Sequence, residues 1–155
     1  MSRTYVINDS RAVSTAITIL QIKAVSCSLE IVRAWVNQES STVSAQTAIQ
    51  LNRKITTAAS VTSLTPLLLE PNGAAALAVG GAAATGRTAT AEGTDSDVLI
   101  REGFNVLNGW LYLPVPEERI VLSPLSIATS TLGLKFPVAP PNVTYDYGIV
   151  FREIG

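Results

Sequence analysis

The sequence predicts an all-β fold, an antiparallel β-sandwich or jelly roll of about eight strands with a long Ala/Gly/Thr-rich loop or arm at 70–97. Three observations predict it. Val, Ile, Thr, Ala and Ser dominate the chain and there is one Met; β-branched side chains lose little on a pleated surface and more in a helix. Turn signals recur at intervals of about ten residues, which is the spacing of sandwich strands. No helix-period stretch is long enough for an α/β fold.

The strands follow in order. Residues 3–8 form a short first strand. Residues 14–24 are β-branched and alternate, with a bulge expected near Ile19-Leu20, where two apolar residues are adjacent. Residues 28–37 alternate with Leu29, Ile31, Arg33 and Trp35 on one face and Glu30, Val32, Ala34 and Val36 on the other. Both faces are partly apolar, so this is a central strand, with Trp35 at the centre of the core. After a Ser/Thr/Gln-rich connection at 38–46, Ile49, Leu51 and Ile55 keep step in a strand at 47–55. Residues 59–69 form another, which ends near Pro66 and suits an edge.

From 70 to 97 there are few large apolar groups, so the segment cannot supply much core. It is expected to be a loop or arm with a short helical turn at 74–79, ordered by a neighbouring chain or disordered. The β pattern resumes at 98–115, with a turn at Asn108-Gly109, where a positive φ is favoured. Pro114, Pro116, Glu117, Glu118 and Arg119 make a further turn, and strands are expected at 119–123, 129–137 and 146–153.

A single domain spanning 1–155 needs no disulfide or metal at this length. One cysteine, Cys27, excludes an intrachain disulfide; its neighbours read as strand, and a buried, inert thiol is expected. Only 15% of residues are charged, against roughly 25% in an average globular protein. With mean hydropathy +0.33, that deficit predicts a surface partly hidden against partners. The net charge of −1 without a basic block argues against nucleic acid. Residues 1–9 carry no signal pattern. The uncharged stretches 55–69 and 71–86 are too polar and too interrupted to cross a bilayer, so a soluble product made in a cytoplasm is expected.

Catalytic chemistry finds few footholds. The chain has no histidine, which removes Ser-His-Asp and Cys-His arrangements and the commonest metal ligand. Residues 81–88 nearly match a phosphate-binding loop, with Arg87 in place of lysine, but no helix follows. Glu92, Asp95 and Asp97 are a weak calcium candidate without the twelve-residue pattern. Adjacent Glu117 and Glu118 point apart on a strand and are poor acid–base partners; with Arg119 they suit a solvated turn or an interfacial ion pair. Trp35, Trp110, Tyr112 and Phe104 are expected in the core rather than on a ligand platform, with Trp110 the one that could anchor an interface. Asn142-Val143-Thr144 fits the glycosylation sequon, idle without a secretory signal. No enzyme and no cofactor is predicted.

Residues 17–38, 103–120 and the ending Phe151-Arg152-Glu153-Ile154-Gly155 resemble small virion proteins of tailed bacteriophages, a group that includes capsid cement, or decoration, proteins. The resemblance covers about half of the chain. It implies a β-sandwich that forms a homotrimer on the capsid surface and ties together subunits of the major capsid protein, with no residue roles to carry over. The composition agrees: a cement protein needs wide, weakly charged contact surfaces and no catalytic group. The expected contact regions are the 70–97 arm with Arg87, and the 109–119 segment with Trp110, Tyr112, Glu117, Glu118 and Arg119. The alternative is a receptor- or glycan-binding β-sandwich of a phage tail fibre or head surface.

Overall fold

The computed structural model describes residues 3–155, the side chain of Ser96 apart. Among them, twelve strands form two antiparallel sheets. In chain order they are β1 (Arg3–Val13), β2 (Thr18–Lys23), β3 (Ser28–Gln38), β4 (Gln46–Lys54), β5 (Ser60–Ser63), β6 (Leu67–Leu68), β7 (Gly86–Ala91), β8 (Asp95–Asn105), β9 (Trp110–Tyr112), β10 (Val121–Leu122), β11 (Thr131–Lys135) and β12 (Val143–Ile154). A 3₁₀ turn at Pro116–Glu118 and one helical turn, α1 (Ile127–Ser130), complete the elements. The first sheet runs β10-β3-β12-β1-β6, with β9 also on β3; the second runs β5-β7-β2-β11-β4-β8.

The all-β sandwich expected from the sequence is what the chain forms, with more strands than the eight expected because β5, β6, β9 and β10 are short pieces. The connectivity is that of a jelly roll. β1, β2, β3 and β4 alternate between the sheets, β8 stays with β4, and β9 or β10, β11 and β12 alternate again. First and last strands pair along their whole length, from Arg3↔Glu153 to Val13↔Val143. The core lies between the sheets, where alternation buries Tyr5, Ile7, Ile149 and Phe151 of one against Ile49, Leu51, Leu132 and Leu134 of the other. Tyr5 and Phe151, directly opposite in register, stack at 5.6 Å. Each such side chain contributes about 1.5–3 kcal/mol by leaving water.

Two bulges decide which side chains face the core. In β2, Leu20 opposes Leu134 and Thr18 opposes Lys135, so Ile19 is the extra residue, at the expected place. In β3, Arg33 opposes Val150 and Ile31 opposes Phe151, so Val32 is extra. This second bulge corrects the position of Trp35. Leu29 and Ile31 face the core as expected, but beyond Val32 the parity switches: Ala34 and Val36 are buried, and Arg33 and Trp35 emerge on the outer face.

The expected arm at 70–97 is also corrected. Its last third is strand: β7 lies on β2 and β8 begins at Asp95. The whole 55–94 insertion between β4 and β8 extends both sheets on the same side, β6 adding to β1 and β7 to β2. Its irregular part is tied down. Ala76 and Ala78 are buried, and the Glu153 carboxylate accepts the amides of Leu77 and Ala78 at 2.6 and 3.2 Å. The Tyr5 hydroxyl donates to the Ala74 carbonyl at 3.1 Å. Alanines fit here because the backbone itself packs against the sheet; the expected helical turn at 74–79 is irregular chain with a bend at Leu77 and Ala78 instead.

The turn at Asn108-Gly109 is present, with Gly109 at φ 73° and its amide donating to Asn105 at 3.2 Å. It is not a hairpin: β8 pairs with β4 and β9 with β3, so the turn crosses between sheets.

Candidate functional site

The outer face of the first sheet is a broad surface of mixed character with Trp35 at its middle. Register fixes its rows. Leu111, Trp35, Gly148 and Asn8 lie side by side on β9, β3, β12 and β1. In the next row Arg33, Val150, Val6 and Leu67 follow one another. On the other side Asn37, Asp146 and Ser10 make a polar row. Trp35 lies across Gly148, where any side chain would land in the indole ring. The Arg33 guanidinium sits over the ring, 4.4 Å from its centroid.

The aliphatic part is bare. Leu69, Leu111 and Leu113 are 54%, 57% and 64% exposed, next to half-buried Val32 and Val150. A shallow depression of about 570 Å³ lies between Val6, Trp35, Leu69, Leu113 and Val150. Two others, of about 400 and 370 Å³, flank the indole on its polar sides, against Asn37 and Asn108 in one case and Ser10 and Asp146 in the other. The rim carries both signs of charge, with Arg33 and Arg152 at one end and Asp146 at the other. Such a surface can hold a flat partner or a ring-shaped ligand.

The 109–119 segment reaches this face, but through different residues from those expected. Trp110 is buried, not an exposed anchor: its indole N–H donates to Glu102 at 2.6 Å, and its ring stacks on Tyr112 at 6.4 Å. Tyr112 is half-buried and donates to the Glu118 carbonyl at 3.1 Å. Burial, with the Glu118 charge, pushes its hydroxyl pKa up, against the opposing pull of Ile120 and Arg119. Phe104 is in the core as expected. Leu111, Leu113 and Val115 alternate with the inward residues and carry the exposed surface. Glu117 and Glu118 sit on the exposed 3₁₀ turn. Arg119 is held within the chain, 3.5 Å from Glu30, which also pairs with Arg152. Arg87 is similarly engaged, donating to Asp9 at 2.6 Å across the two sheets. Cys27 lies half-buried in the bend before β3, not in a strand, and burial pushes its thiol pKa up, helped by Glu153.

Two carboxylates of the calcium candidate, Glu92 and Asp95, are engaged by other side chains. Asp95 is shared by two lysines: Lys54 on one carboxylate oxygen and Lys135 on the other, the latter at 2.5 Å. Glu92 accepts the amide and hydroxyl of Thr18 at 2.7 and 2.6 Å and lies 3.4 Å from Lys135. Burial alone would raise both carboxyl pKa values. For Glu92 the Thr18 hydrogen bonds and then the ammoniums outweigh it; for Asp95 the hydrogen bonds and charges of Lys135 and Lys54 do, and both end below the ordinary range. A divalent cation would meet two ammoniums here, and Asp97 stands apart, exposed. Among the described residues no cluster of metal-ligating side chains is present, and no helix is long and apolar enough to cross a membrane. No protein-family model, curated protein or solved structure matches the chain.

Proposed function

We propose that this chain is a structural assembly protein, a capsid cement or decoration protein that sits on a virion head as a homotrimer and contacts the major capsid protein. The observation that carries the proposal is the bare aliphatic face around Trp35, on a chain with only 15% charged residues. The occupant we assign to that face is a second copy of the chain. Arg33 and Arg152 lie at one end and Asp146 at the other, so copies arranged head to tail around a three-fold axis set the arginine end of one against the aspartate end of the next, with the exposed leucines covered between them. The three-fold arrangement and the shell are what the resemblance to tailed-phage virion proteins implies; the apolar, charge-balanced face supports association of that kind.

The test is the solution mass of the purified chain by light scattering. A trimer is expected, and the double substitution Leu69→Asp with Leu113→Asp should dissociate it without changing the circular dichroism spectrum. A wild-type monomer at micromolar concentration would remove the self-contact. Raised disruption temperature of capsids loaded with the protein tests the second half of the proposal.

A glycan-binding face is the second reading, favoured by one feature: the half-buried indole is bordered by Asn8, Ser10, Asn37 and Asp146, the polar groups a sugar ring would need beside an aromatic plane. A glycan array distinguishes the two, since the cement reading predicts a blank array.

A further inference from the structure

The four sheet edges are not alike. On three of them the outermost strands, β5, β6, and β9 with β10, are two to four residues long. The fourth is β8, with eleven residues. Natural sheets keep exposed edges short, because unpaired amides and carbonyls are a template for another strand.

The phase of the β4–β8 ladder identifies the free groups. Val106 N–H donates to the Ala45 carbonyl at 3.0 Å, continuing the register Gln46↔Asn105 to Leu51↔Ile100. In an antiparallel ladder, residues alternate between facing the partner and facing away with both N–H and C=O. Glu102 and Phe104 therefore face β4, while Arg101 and Gly103 turn both backbone groups outward, and both residues are exposed. No described residue takes those groups.

Two side-chain observations point the same way. Arg101 has no ion-pair partner among the described residues, whereas Arg11, Arg87, Arg119 and Arg152 each have one. Gly103 is a glycine without an internal reason: it does not have a positive φ, and a Cβ there would meet nothing closer than the Thr47 carbonyl at 3.7 Å. Its effect is outward. It bares the flank of the strand on the same face as the Arg101 side chain, two residues away.

A second copy of β8 is a poor occupant. Two-fold antiparallel pairing centred on Arg101 or Glu102 sets like charges directly opposite. Centred on Gly103, it needs the Asn105 carbonyl, which already accepts Asn108 and Gly109 at 3.0 and 3.2 Å. We infer that the free edge of β8 at Arg101–Gly103 docks an extended segment of a different protein, one carrying an aromatic residue, any residue, then an acid. In antiparallel order the acid lies opposite Arg101 and the aromatic ring covers the bare backbone of Gly103. This edge belongs to the second sheet, so the inference stands apart from the Trp35 face.

The experiment is an NMR titration of the ¹⁵N-labelled full chain with the capped peptide Thr-Val-Tyr-Thr-Glu-Val-Thr, and with the same peptide carrying Lys for Glu. Saturable shifts and exchange protection at the Arg101 and Gly103 amides are expected with the acidic peptide. Arg101→Glu should weaken that peptide by about fivefold, the size of a cross-strand ion pair, and favour the Lys peptide. Gly103→Pro removes an outward N–H without breaking the ladder and should abolish binding. If it impairs folding, Gly103→Thr reads the covered flank instead and should weaken binding. Unchanged Arg101 and Gly103 amides at millimolar peptide, shifts centred on Trp35, or binding indifferent to these variants would each overturn the inference.

Discussion

Lys54 is fully buried, yet it carries a charge at the end of β4. Its ammonium donates to the Glu92 carbonyl at 2.8 Å and the Thr18 hydroxyl at 3.3 Å, pairs with Asp95, and lies 3.7 Å from the Glu92 carboxylate. The two ends of this network are not equivalent. The Asp95 and Glu92 side chains keep 28% and 32% exposure and share Lys135 as a second cation, whereas Lys54 has no water to fall back on. Removing the lysine and removing the acids should therefore cost different amounts. Lys54→Met leaves two partly hydrated carboxylates still facing Lys135, with one carbonyl losing its donor; about 1–2 kcal/mol is expected. Glu92→Gln combined with Asp95→Asn strands a buried ammonium, and about 3–5 kcal/mol is expected. Urea unfolding followed by tryptophan fluorescence measures both at unchanged m-value. Equal costs, or a larger cost for Lys54→Met, would refute the reasoning that burial of the cation sets the energy.

The same network gives a pH profile. Folded-state pKa values of Glu92 and Asp95 are depressed, so their contribution is present above the unfolded carboxylate range near ~4 and is lost as pH falls through the lower folded values. Lys135 is raised, and burial raises Tyr147 and pushes Tyr145 up to about 12, so stability should also fall as pH rises beyond the unfolded values near ~10; a flat region between, with both flanks in a melting series, is the expected result. Gly148→Ala should expel the Trp35 indole from the sheet, shifting its emission to the red and costing about 1–3 kcal/mol, and an unmoved spectrum would contradict the packing of indole on glycine. Glu153→Ala removes the acceptor for the Leu77 and Ala78 amides and should cost about 1–3 kcal/mol, with faster proteolytic cleavage within 69–85 as its signature.

Where periodicity was regular, the sequence was a good guide. The β3, β4 and β12 strands, the first half of β1, the bulge at Ile19 and the turn at Gly109 all follow from local chemistry. What escaped depends on contacts between distant residues. Nothing local marks Val32 as a bulge; it shows only in the pairing of β3 with β12, and that single extra residue moved Trp35 from core to surface. The Ala/Gly/Thr run looked too poor in large groups to pack, and it packs by bringing its backbone close, held by Glu153 from the far end of the chain. In 109–119 the region was right and the parity wrong. A tryptophan invites the role of anchor, but Trp110 is buried and its indole N–H is taken by Glu102, while the plainer Leu111 and Leu113 are left outside.

The two outer faces of the sandwich are treated in opposite ways. On the second sheet, Gln21 and Lys54 point away from the core, yet both are buried, because the 55–94 insertion folds over them. The Gln21 amide donates to the carbonyls of Ala59 and Ala84 at 3.1 and 2.7 Å and accepts the Ala59 amide at 2.8 Å, and the loop at Glu92 closes over Lys54. Gln21 and Lys54 are thus covered by the chain itself and satisfied internally, whereas Asn52, buried on the same face, has no hydrogen-bond partner for its side-chain amide among the described residues. On the first sheet, leucines and valines that would gain from cover have none. A chain selected only for its own stability would do better to reverse the two. The arrangement makes physical sense if the first face has a cover of its own from outside the chain, which is why the oligomer mass is the measurement on which the proposed function turns.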